Sequence, residues 1–487
     1  MNAEFELYSS LASQIICRFP MRRIVTDSRR AAPGDIFVAV SGVALDGRKF
    51  IPQAVEKGAA AIIYSGELEN FLPGVEYIEV PDSRKMVPFL YREFYGMPDR
   101  GIKLYSVTGT NGKTTCAFLL NFLLQKLGVP CGLFSTVEYQ DGRNCIPASH
   151  TTPDAEQFFE LLARMKNNSL QAAAMESSSH ALALNRLDSA TISGAIFTNL
   201  TGDHLDFHGT MEQYFAAKCR LFTDLLKAGG TAAVNIDDPY GRRLFSLLPP
   251  TVNAVSFGSA PDAAYRITGM HTSPEGVYFD LCGKGMVLPV ASPLAGEYNI
   301  HNLAGVLTLL SAEGFAPEQL VAAAALPFQV PGRLEKVEIA SSAAFFVDFA
   351  HTDDALKNVL STVKPFVSGK LWVIFGAGGD RDKSKRPRMG AVASQYADRV
   401  IITSDNPRSE EPEEIISQIR SGISGGAECY IEVDRRKALE LAVKNVSPGD
   451  VVIVAGKGHE NYQEISGVKY PFDDRQELKN IWEKCHG

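Results

Sequence analysis

Residues 102–115 read IKLYSVTGTNGKTT, and the rest of the chain is organised around this stretch. The first half, IKLYSVT, is apolar and too short for helical amphipathy, so it predicts a buried parallel strand. The second half has glycines at 109 and 112 and predicts a tight turn, with a helix that begins at about Lys113. A strand, a glycine turn and a helix N-terminus in this order favour an anion-binding loop.

The two glycines let the backbone fold closely around a phosphate group. The backbone amides of residues 111–115 can then point into the same concavity. Lys113 would reach the terminal phosphates as a point charge, and a hydroxyl of Thr114 or Thr115 would complete the shell of a bridging Mg²⁺ ion. This half of the stretch therefore predicts a phosphate cradle.

The loop is shorter than a standard Walker motif, which would require a glycine at the position of Val107. The difference indicates a particular branch of nucleotide-binding enzymes. A plain glycine turn followed by a surface lysine would have a similar sequence. GTNGKTT directly after an apolar strand is nevertheless the context that a phosphate site demands, and we predict such a site here.

Length and composition predict a globular protein of several domains. At about 150 residues per domain, 487 residues predict about three. A hydrophobic fraction of 45% is enough for several cores, and a net charge of -8 argues against nucleic acid as the main partner. The eight cysteines form no CxxC pair, so we expect reduced thiols. With no secretory pattern and no long apolar run, we expect a cytoplasmic monomer without a membrane span.

Residues 1–98 predict a small α/β unit. VTDSRRAAPGDIFVAVSG supplies two strand-like pieces around a Pro-Gly turn, and residues 51–63 predict a helix that runs into a strand. The polar loop residues here could hold an anionic ligand, although solvated turns would have the same composition: Ser28, Arg29, Asp46 and Arg48. Periodicity breaks at residues 95–100, so we place the first boundary after residue 98.

In the predicted central domain, residues 99–332, polar side chains follow successive apolar strands. AAAMESSSHAL (172–182) reaches Glu176 at a strand end, and a second strand leads into a loop with Asp203 and His204 and then to a helix that carries Lys218. The carboxyl ends of parallel strands meet at one edge of a sheet. Carboxylates with one imidazole suit Mg²⁺ or Mn²⁺ more than Zn²⁺, although aspartates that cap a helix would give a similar loop.

Four further features of the sequence concern the central domain and its end. Thr151 or Thr152 can cap the next helix, whose N-terminus could also hold an anion. Residues 265–290 alternate like strands and predict a small antiparallel insertion. Asn299 and Asn302 share one face of a helix, where their amides could read a nucleotide base or only cap the helix. Pro331-Gly-Arg333 marks the second boundary.

Residues 333–487 alternate strands and helices and predict a doubly wound, Rossmann-like α/β domain with a mostly parallel sheet. Polar segments at 380–381, 405–408 and 456–460 each follow a strand, so we expect them to line one crevice. Arginines and acids in one crevice would suit a ligand with both a carboxylate and an ammonium group, and Arg408 would grip the carboxylate. Ion pairs on the protein surface would give a similar pattern.

Taken together, these motifs resemble the Mur ligases, and most closely the MurE-type branch that adds the third residue of the peptidoglycan stem peptide. The resemblance runs in order through nearly all of the chain: TGTNGKTT, ESSSHAL, TNLTGDHLDFHG, YFAAKCRLF, EYNIHN, PGRLE, VDFAH, GGDRDKSKRP, DNPR and AGKGHE. It implies a UDP-substrate domain (1–98), a central P-loop-type ATP domain (99–332) and a C-terminal amino-acid domain (333–487).

The resemblance also implies roles at matching positions. ATP would be held by Gly109, Thr110, Asn111, Gly112, Lys113, Thr114, Thr115, Asn299, Asn302, Arg333 and Asp348. Mg²⁺ would be held by Thr114, Glu176, His204 and Lys218, with Lys218 as a carbamate. The catalytic residues would be Lys113, Glu176, His204 and Lys218. The UDP-sugar peptide would contact Ser28, Thr151, Thr152, Ser178 and Arg186. The incoming amino acid would contact Arg381, Asp405, Asn406, Pro407, Arg408, Gly456 and Glu460.

The implied reaction is ATP-dependent amide formation. It would add meso-diaminopimelate, a diamino acid, to UDP-N-acetylmuramoyl-L-alanyl-D-glutamate through an acyl phosphate, and so serve peptidoglycan synthesis, cell shape and cell division. DNPR resembles the signature of enzymes that select diaminopimelate over lysine. The alternatives are the same ligation with L-lysine or with an analogue such as lanthionine, which would satisfy the same residues. A folylpolyglutamate synthase-like ligase would share the short phosphate loop and the lysine, and a non-ligating ATP switch would share the nucleotide site.

The chain departs from the family pattern at three positions. His150 replaces an asparagine that often precedes the two threonines, and Leu184 stands where a substrate-binding glutamine is common. Both changes weaken the detailed map of the UDP-substrate contacts. Asp353 replaces the usual proline of HTPDAL, where we expect a local loop change without loss of activity.

Overall fold

The computed structural model describes residues 3–40, 46–273 and 276–486. Across these ranges the strands form three main sheets that follow one another along the chain, and a short hairpin lies near the C-terminus. Helices connect most of the parallel strands in each main sheet. This arrangement confirms the expected α/β fold class, with parallel sheets in succession.

The first sheet is parallel throughout, with the strand order β1-β2-β3-β4. Its strands are β1 (Ile24–Val25), β2 (Ile36–Val38), β3 (Ala61–Tyr64) and β4 (Glu76–Glu79), and its helices are α1 (Ala3–Arg18), α2 (Ile51–Glu56) and α3 (Ser83–Phe94). The two predicted strand pieces are β1 and β2, and the helix and strand predicted over 51–63 are α2 and β3. The predicted segment ends at residues 41 and 42, which lie outside the described residues.

The central sheet has the strand order β15-β14-β13-β12-β11-β10-β5-β9-β6-β7-β8. Its strands are β5 (Lys103–Thr108), β6 (Cys131–Phe134), β7 (Glu138–Gln140), β8 (Cys145–Pro147), β9 (Ala172–Glu176), β10 (Ile192–Phe197), β11 (Leu226–Asn235), β12 (Asn253–Gly258), β13 (Tyr265–Ser273), β14 (Gly276–Gly283) and β15 (Met286–Ser292). Its helices are α4 (Lys113–Lys126), α5 (Ala155–Asn167), α6 (Ser179–Ala183), α7 (Leu205–His208), α8 (Met211–Arg220), α9 (Pro239–Leu247), α10 (Glu297–Ala312) and α11 (Pro317–Ala324).

The strand predicted from IKLYSVT is β5, and it lies at the centre of this sheet between β10 and β9, parallel to both. Leu104 and Val107 are fully buried, one in each of the two apolar layers that cover the sheet. The next helix, α4, begins at Lys113. Both the strand and the start of the helix are therefore confirmed.

Two local expectations need correction. The strands of residues 265–290 are antiparallel as predicted, but β13 continues the central sheet through its pairing with β12, so they extend that sheet and are not a separate insertion. Helix α5 is capped by Asp154, whose side chain accepts a hydrogen bond from the Gln157 amide. Thr151 and Thr152 do not cap it, because the cap lies two residues further on.

The C-terminal sheet has the order β16-β17-β21-β18-β19-β20, and only its edge pair β16–β17 is antiparallel among the described pairs. Its strands are β16 (Glu335–Val337), β17 (Ala344–Asp348), β18 (Leu371–Phe375), β19 (Arg399–Ile402), β20 (Glu428–Ile431) and β21 (Val451–Ala455). Its helices are α12 (Asp353–Val363), α13 (Lys385–Tyr396), α14 (Pro412–Arg420), α15 (Arg435–Asn445) and α16 (Asp474–His486), and the hairpin is β22 (Tyr462–Ile465) with β23 (Val468–Pro471).

The sheet order brings the predicted site segments together. Strands β9, β5 and β10 are neighbours, so the loops after them share one edge of the central sheet. Strands β21, β18 and β19 are neighbours in the C-terminal sheet, with the same consequence. Helices long and apolar enough to cross a membrane do not occur within the described ranges. The domain boundaries after residues 98 and 332 stay predictions.

Candidate active site

A cavity of about 1020 Å³ lies between the central and C-terminal sheets. Its walls include the phosphate loop, the loops after β9 and β10, and the loops after β17, β18, β19 and β21. The lining residues in the described part of the chain all fall between Thr110 and Tyr462, so the N-terminal sheet contributes none of them. One chamber therefore joins the predicted phosphate site to the predicted amino-acid crevice.

The phosphate loop has the glycine conformations that the sequence predicts. Gly109 has φ 154° and Gly112 has φ 86°, and both lie in the region that favours glycine. A Cβ atom at Gly109 would overlap Thr198 Oγ1, and one at Gly112 would overlap Asn302 Oδ1. Steric exclusion and backbone strain thus both require glycine at these two positions.

Two lysines meet at the carbonyl oxygen of Gly109. Lys113 Nζ donates to this oxygen at 3.0 Å and to Thr110 O at 2.8 Å, and Lys218 Nζ donates to the Gly109 oxygen at 2.8 Å. Burial, and then the positive charge of Lys113, hold the pKa of Lys218 well below its usual range. An unprotonated amine at Lys218 is a nucleophile that can react with CO₂.

Glu176 ends β9 and is fully buried beside the phosphate loop. Its carboxylate accepts hydrogen bonds from the Thr136 amide at 2.7 Å and from the Thr114 hydroxyl at 3.1 Å. Burial raises the pKa of Glu176, so a cation near this carboxylate would favour its charged form. Arg333 Nη2 donates to the same Thr114 hydroxyl at 2.8 Å. The second predicted domain boundary therefore lies beside the phosphate loop.

His204 follows Asp203 in the loop after β10 and lines the same cavity. Burial lowers the pKa of His204 to about 3, so the imidazole is neutral at pH 7 and can offer a lone pair to a metal ion. No cluster of three or more His, Cys, Asp or Glu side chains that could hold a metal occurs among the described residues. A metal here would need the Thr114 hydroxyl, phosphate oxygens or a modified Lys218 besides Glu176 and His204.

The predicted nucleotide residues differ in their access to the cavity. Asn302, Arg333 and Asp348 line it, whereas Asn299 does not. Asn299 Nδ2 donates to Ala295 O at 2.7 Å, and its Oδ1 accepts from Asn302 Nδ2 at 2.9 Å. Asn299 therefore positions Asn302 at the start of α10, and its own amide faces the helix.

Of the residues expected to hold the UDP-sugar peptide, Thr151, Thr152, Ser178 and Arg186 line the cavity. Thr152 Oγ1 donates to Glu176 O at 2.8 Å, and Arg186 Nη1 donates to Thr152 O at 3.0 Å. These bonds connect the predicted peptide contacts directly to the strand end that carries Glu176. His150 also lines the cavity, whereas Leu184 lies outside its lining at the end of α6.

Ser28 lies apart from the cavity. It is buried in the N-terminal sheet region and donates to Gln53 Oε1 at 2.6 Å. Arg30, two residues later, pairs with Glu156 of α5 at 3.2 Å, which connects this region to the central part of the chain. The assignment of Ser28 to the UDP-substrate site stays a prediction.

In the C-terminal crevice, Arg381, Asp405, Asn406, Arg408, Gly456 and Glu460 line the cavity, and Pro407 does not. Asn406 Nδ2 donates to Glu460 Oε2 at 2.9 Å, and the Arg408 Nη1 group donates to Gly379 O at 2.8 Å. A Cβ atom at Gly456 would overlap Asp405 Oδ2, so glycine is required beside this buried carboxylate. The crevice thus presents fixed carboxylates and arginines to one space, as the sequence predicts.

Comparison with known proteins identifies the family. Profiles described as the Mur ligase middle domain, the Mur ligase glutamate ligase domain and the Mur ligase family catalytic domain match residues 107–310, 332–458 and 21–95. A protein of Geobacter metallireducens named UDP-N-acetylmuramoyl-L-alanyl-D-glutamate–2,6-diaminopimelate ligase is 38% identical over 473 residues, which cover 93% of this chain and 92% of the relative. The chain belongs to the Mur ligase family.

Solved structures agree with the fold of this Mur ligase. A structure of a UDP-N-acetylmuramoyl-L-alanyl-D-glutamate–2,6-diaminopimelate ligase is 35% identical, has a TM-score of 0.68 and covers 96% of both chains. A folylpolyglutamate synthase of Mycobacterium tuberculosis is 17% identical, has a TM-score of 0.64, and covers 77% of this chain and 93% of its own. At that identity the second likeness shows the fold alone.

Sequence reasoning left two buried lysines of this Mur ligase without a role, one in the cavity wall and one behind the residues that line the crevice. Lys385 begins α13, is buried in the cavity wall, and has its pKa lowered by burial. Lys457 is fully buried and lies 3.0 Å from Glu460 Oε2 and 3.1 Å from Asn406 Oδ1. Both lysines occur inside motifs of the family resemblance, GGDRDKSKRP and AGKGHE. The apolar strand before each motif is a signal that could have placed both lysines near the crevice.

His301 and Asp237 form a pair that the sequence did not suggest. They line the cavity beside Asn302, and His301 Nε2 lies 3.2 Å from Asp237 Oδ2. Asp237 follows β11, and His301 lies in the first turns of α10, so the pair depends on two segments that are 64 residues apart. Sequence spacing carries no information about such a contact.

Proposed function

We propose that this Mur ligase joins meso-diaminopimelate to the D-glutamate carboxyl group of UDP-N-acetylmuramoyl-L-alanyl-D-glutamate, with conversion of ATP to ADP and phosphate. The single cavity that connects the phosphate loop to the C-terminal crevice carries the proposal. A ligase of this type must bring a triphosphate, a carboxylate and an amine together. The full-length similarity to relatives named for this reaction supports it.

The phosphate loop would hold ATP through the backbone amides of residues 112–115 and the ammonium group of Lys113, since the Asn111 amide donates to Asn199 Oδ1. Lys113 now donates to two loop carbonyl groups, which phosphate oxygens would replace as its partners. Asn302, Arg333 and Asp348 would contact the rest of the nucleotide, since all three line the same cavity. Arg333 also stacks over the Phe349 ring, with its guanidinium carbon 4.8 Å from the ring centroid.

The residues around Glu176 fit a magnesium ion. Glu176 and Thr114 supply adjacent oxygen atoms, and neutral His204 supplies a nitrogen atom. A bound Mg²⁺ would offset the negative charge that separates the carboxylate of the substrate from the γ-phosphate. Lys218 would add a further oxygen ligand only as a carbamate, because its ammonium form would repel the metal ion.

Chemistry at the phosphate end would begin with in-line attack of the D-glutamate carboxylate on the γ-phosphate. Lys113 would stabilise the charge that develops on the transferred phosphoryl group. ADP leaves, and the carboxyl group becomes an acyl phosphate. Lys385 lies buried in the wall of the same cavity, and its side chain would stabilise this anionic region when it is protonated.

The second step takes place at the C-terminal end of the cavity. The amine of the diamino acid would attack the acyl carbon, form a tetrahedral intermediate and expel phosphate. Arg408 would bind the distal carboxylate of diaminopimelate, and Asp405 with Glu460 would bind its distal ammonium group. Lysine lacks that carboxylate, so in a lysine complex Arg408 would keep only its present partners, Glu464 Oε2 at 3.4 Å and Gly379 O at 2.8 Å.

A substrate-omission assay with purified protein tests the proposal. ADP formation should require both UDP-N-acetylmuramoyl-dipeptide and the diamino acid, and the product mass should equal the two substrates minus one water. A mixture of diaminopimelate isomers, lysine, ornithine and lanthionine should give mainly the meso-diaminopimelate product. ADP release that is independent of both substrates would indicate an ATP switch and overturn the proposal.

We also propose a cytoplasmic, monomeric enzyme.

A further inference from the structure

Asn111 of the phosphate loop is fixed from two sides. Its backbone amide donates to Asn199 Oδ1 at 2.9 Å, and its carbonyl oxygen accepts from Thr198 Oγ1 at 2.6 Å. Both partners directly follow β10, which belongs to the same sheet as the loop. The backbone of Asn111 is therefore held by the central sheet alone.

The side chain of Asn111 points to the other sheet. Its Nδ2 donates to Asp354 Oδ2 at 2.7 Å, across 243 residues of sequence. Thr201 Oγ1 lies 3.4 Å from the same carboxylate oxygen. Asp354 is in the first turn of α12, which packs on the C-terminal sheet. One carboxylate oxygen of the C-terminal unit thus accepts from two separate loops of the central unit.

The adjacent residue on the same helix has a different partner. Asp353 Oδ2 accepts from Arg388 Nε of α13 at 2.9 Å, so this ion pair stays inside the C-terminal unit. Asp353 and Asp354 carry the same type of side-chain charge and lie in the same helical turn, but of the two only Asp354 contacts the phosphate loop. A charge-assisted hydrogen bond of this length is stronger than one between neutral groups.

We propose that Asp354 is a positioning residue that holds the C-terminal unit closed against the phosphate loop, and that it acts through the Asn111 side chain. The Asn111 backbone is already fixed to the central sheet, so this hydrogen bond fixes the position of α12 relative to the loop. The loops that form the C-terminal crevice belong to the sheet that α12 covers. The bond therefore keeps the distance between this crevice and the phosphate site fixed. Loss of the bond would leave each half of the cavity intact and widen the distance between them, while the hydrogen bond from Arg333 to Thr114 at the second predicted boundary would remain.

Kinetics test the proposal, and this arm rests on the proposed ligase function. Asp354→Ala should lower kcat about tenfold, which corresponds to about 1.4 kcal/mol in the barrier. The dissociation constant of ATP should stay within about twofold, because Asn199 and Thr198 still hold the Asn111 backbone when Asp354 is removed. Asp354→Asn keeps the acceptor oxygen and should restore kcat to within about threefold of wild type. Asp353→Ala, the matched control, should leave kcat unchanged.

Small-angle scattering of the ligand-free protein tests closure without any turnover. Asp354→Ala should increase the radius of gyration, whereas Asp353→Ala and Asp354→Asn should match wild type. An unchanged radius of gyration in Asp354→Ala would overturn the proposal, whether or not the wild type ligates the proposed substrates. A loss of ATP binding in Asp354→Ala would also overturn it, since Asp354 would then belong to the nucleotide site. If the wild-type protein had no ligase activity, the proposed function would be refuted. The scattering result would then still test the role of Asp354 in closure.

Discussion

Lys113 and Lys218 both donate to the carbonyl oxygen of Gly109, at 3.0 and 2.8 Å. Two ammonium groups that share one acceptor repel each other, and burial of Lys218 adds the cost of removing its charge from water. The arrangement relaxes if Lys218 loses its proton and reacts with CO₂ to form a carbamate. The product is an anion that attracts Lys113 and can ligate a metal ion.

We therefore predict that Lys218 is carbamylated in the active protein. Lys218→Arg keeps a positive charge but cannot form the carbamate, so its kcat should fall at least about 100-fold, as expected for loss of a transition-state charge partner. The wild-type protein in ¹³C-labelled bicarbonate should show a carbamate carbon in its NMR spectrum, and the variant should not. Full activity in CO₂-depleted buffer, with no carbamate signal, would contradict the prediction.

Gly112→Ala should abolish ATP binding. A Cβ atom there would overlap Asn302 Oδ1, and the residue has φ 86°, so the loop or the Asn302 side chain, both part of the proposed ATP site, must leave its observed position. Isothermal titration with ATP and Mg²⁺ would measure the loss. Gly314→Ala is the control: Gly314 has φ 95° but no atom within 4 Å of its Cβ position, so this variant should lose about 1 kcal/mol of stability and no ATP affinity.

Lys457→Met should raise the KM for the diamino acid about tenfold, because Glu460 and Asn406 lose the buried ammonium group that orients them. The KM values for ATP and the UDP-dipeptide should stay within about twofold. Lys457 Nζ also lies 5.5 Å from the centroid of the Tyr462 ring. Lys469→Met is the matched control, since Lys469 Nζ lies 4.1 Å from the centroid of the same ring, on the exposed strand β23 of the hairpin. Equal increases in all three KM values would show a general structural effect and contradict a specific role in the crevice.

The lowered pKa of Glu410 predicts that the stability of the protein depends on pH. Its carboxylate accepts hydrogen bonds from Arg386, which is fully buried, and this lowers the pKa of Glu410 to about 2. A lowered folded-state pKa stabilises the protein above the unfolded-state pKa of about 4.3, and the stabilisation is lost as the pH falls towards 2. Glu410→Gln should therefore destabilise the protein by about 2 kcal/mol at pH 7 and by less at pH 3.

Thermal unfolding of wild type and Glu410→Gln at pH 7, 5 and 3 would measure this dependence. Glu440→Gln is the control, because the pair of Glu440 with Lys444 is an exposed i,i+4 contact. The melting temperature of the control should stay close to that of wild type at each pH. A gap between wild type and Glu410→Gln that stays constant from pH 7 to pH 3 would contradict the assignment.

The local fold around the phosphate loop could be predicted because its signals are local. IKLYSVT reads as a buried strand, and the glycines at 109 and 112 are needed for steric reasons that the residue type itself reveals. The three polar segments of the C-terminal crevice could also be predicted, since each follows an apolar strand and parallel strands share an edge.

Contacts between distant segments could not be predicted in this way. The bond between Asn111 and Asp354 and the pair of His301 with Asp237 depend on how elements pack, which residue spacing does not encode. The cap of α5 was missed for a different reason. Asp154 competes with Thr151 and Thr152 as a capping residue, and only the backbone path decides which of them reaches the helix. The position of Ser28 relative to the cavity could not be predicted either, because it depends on where the whole N-terminal sheet lies.

An isotope-transfer experiment tests the central claim most directly. The D-glutamate side-chain carboxyl of the UDP-dipeptide would be labelled with ¹⁸O, and the phosphate released during ligation would be analysed by mass spectrometry. If the carboxylate attacks the γ-phosphate in this cavity, each phosphate should carry one ¹⁸O atom from the substrate. Unlabelled phosphate from labelled substrate, or phosphate that takes its oxygen from ¹⁸O-water, would contradict an acyl phosphate and with it the account of the site.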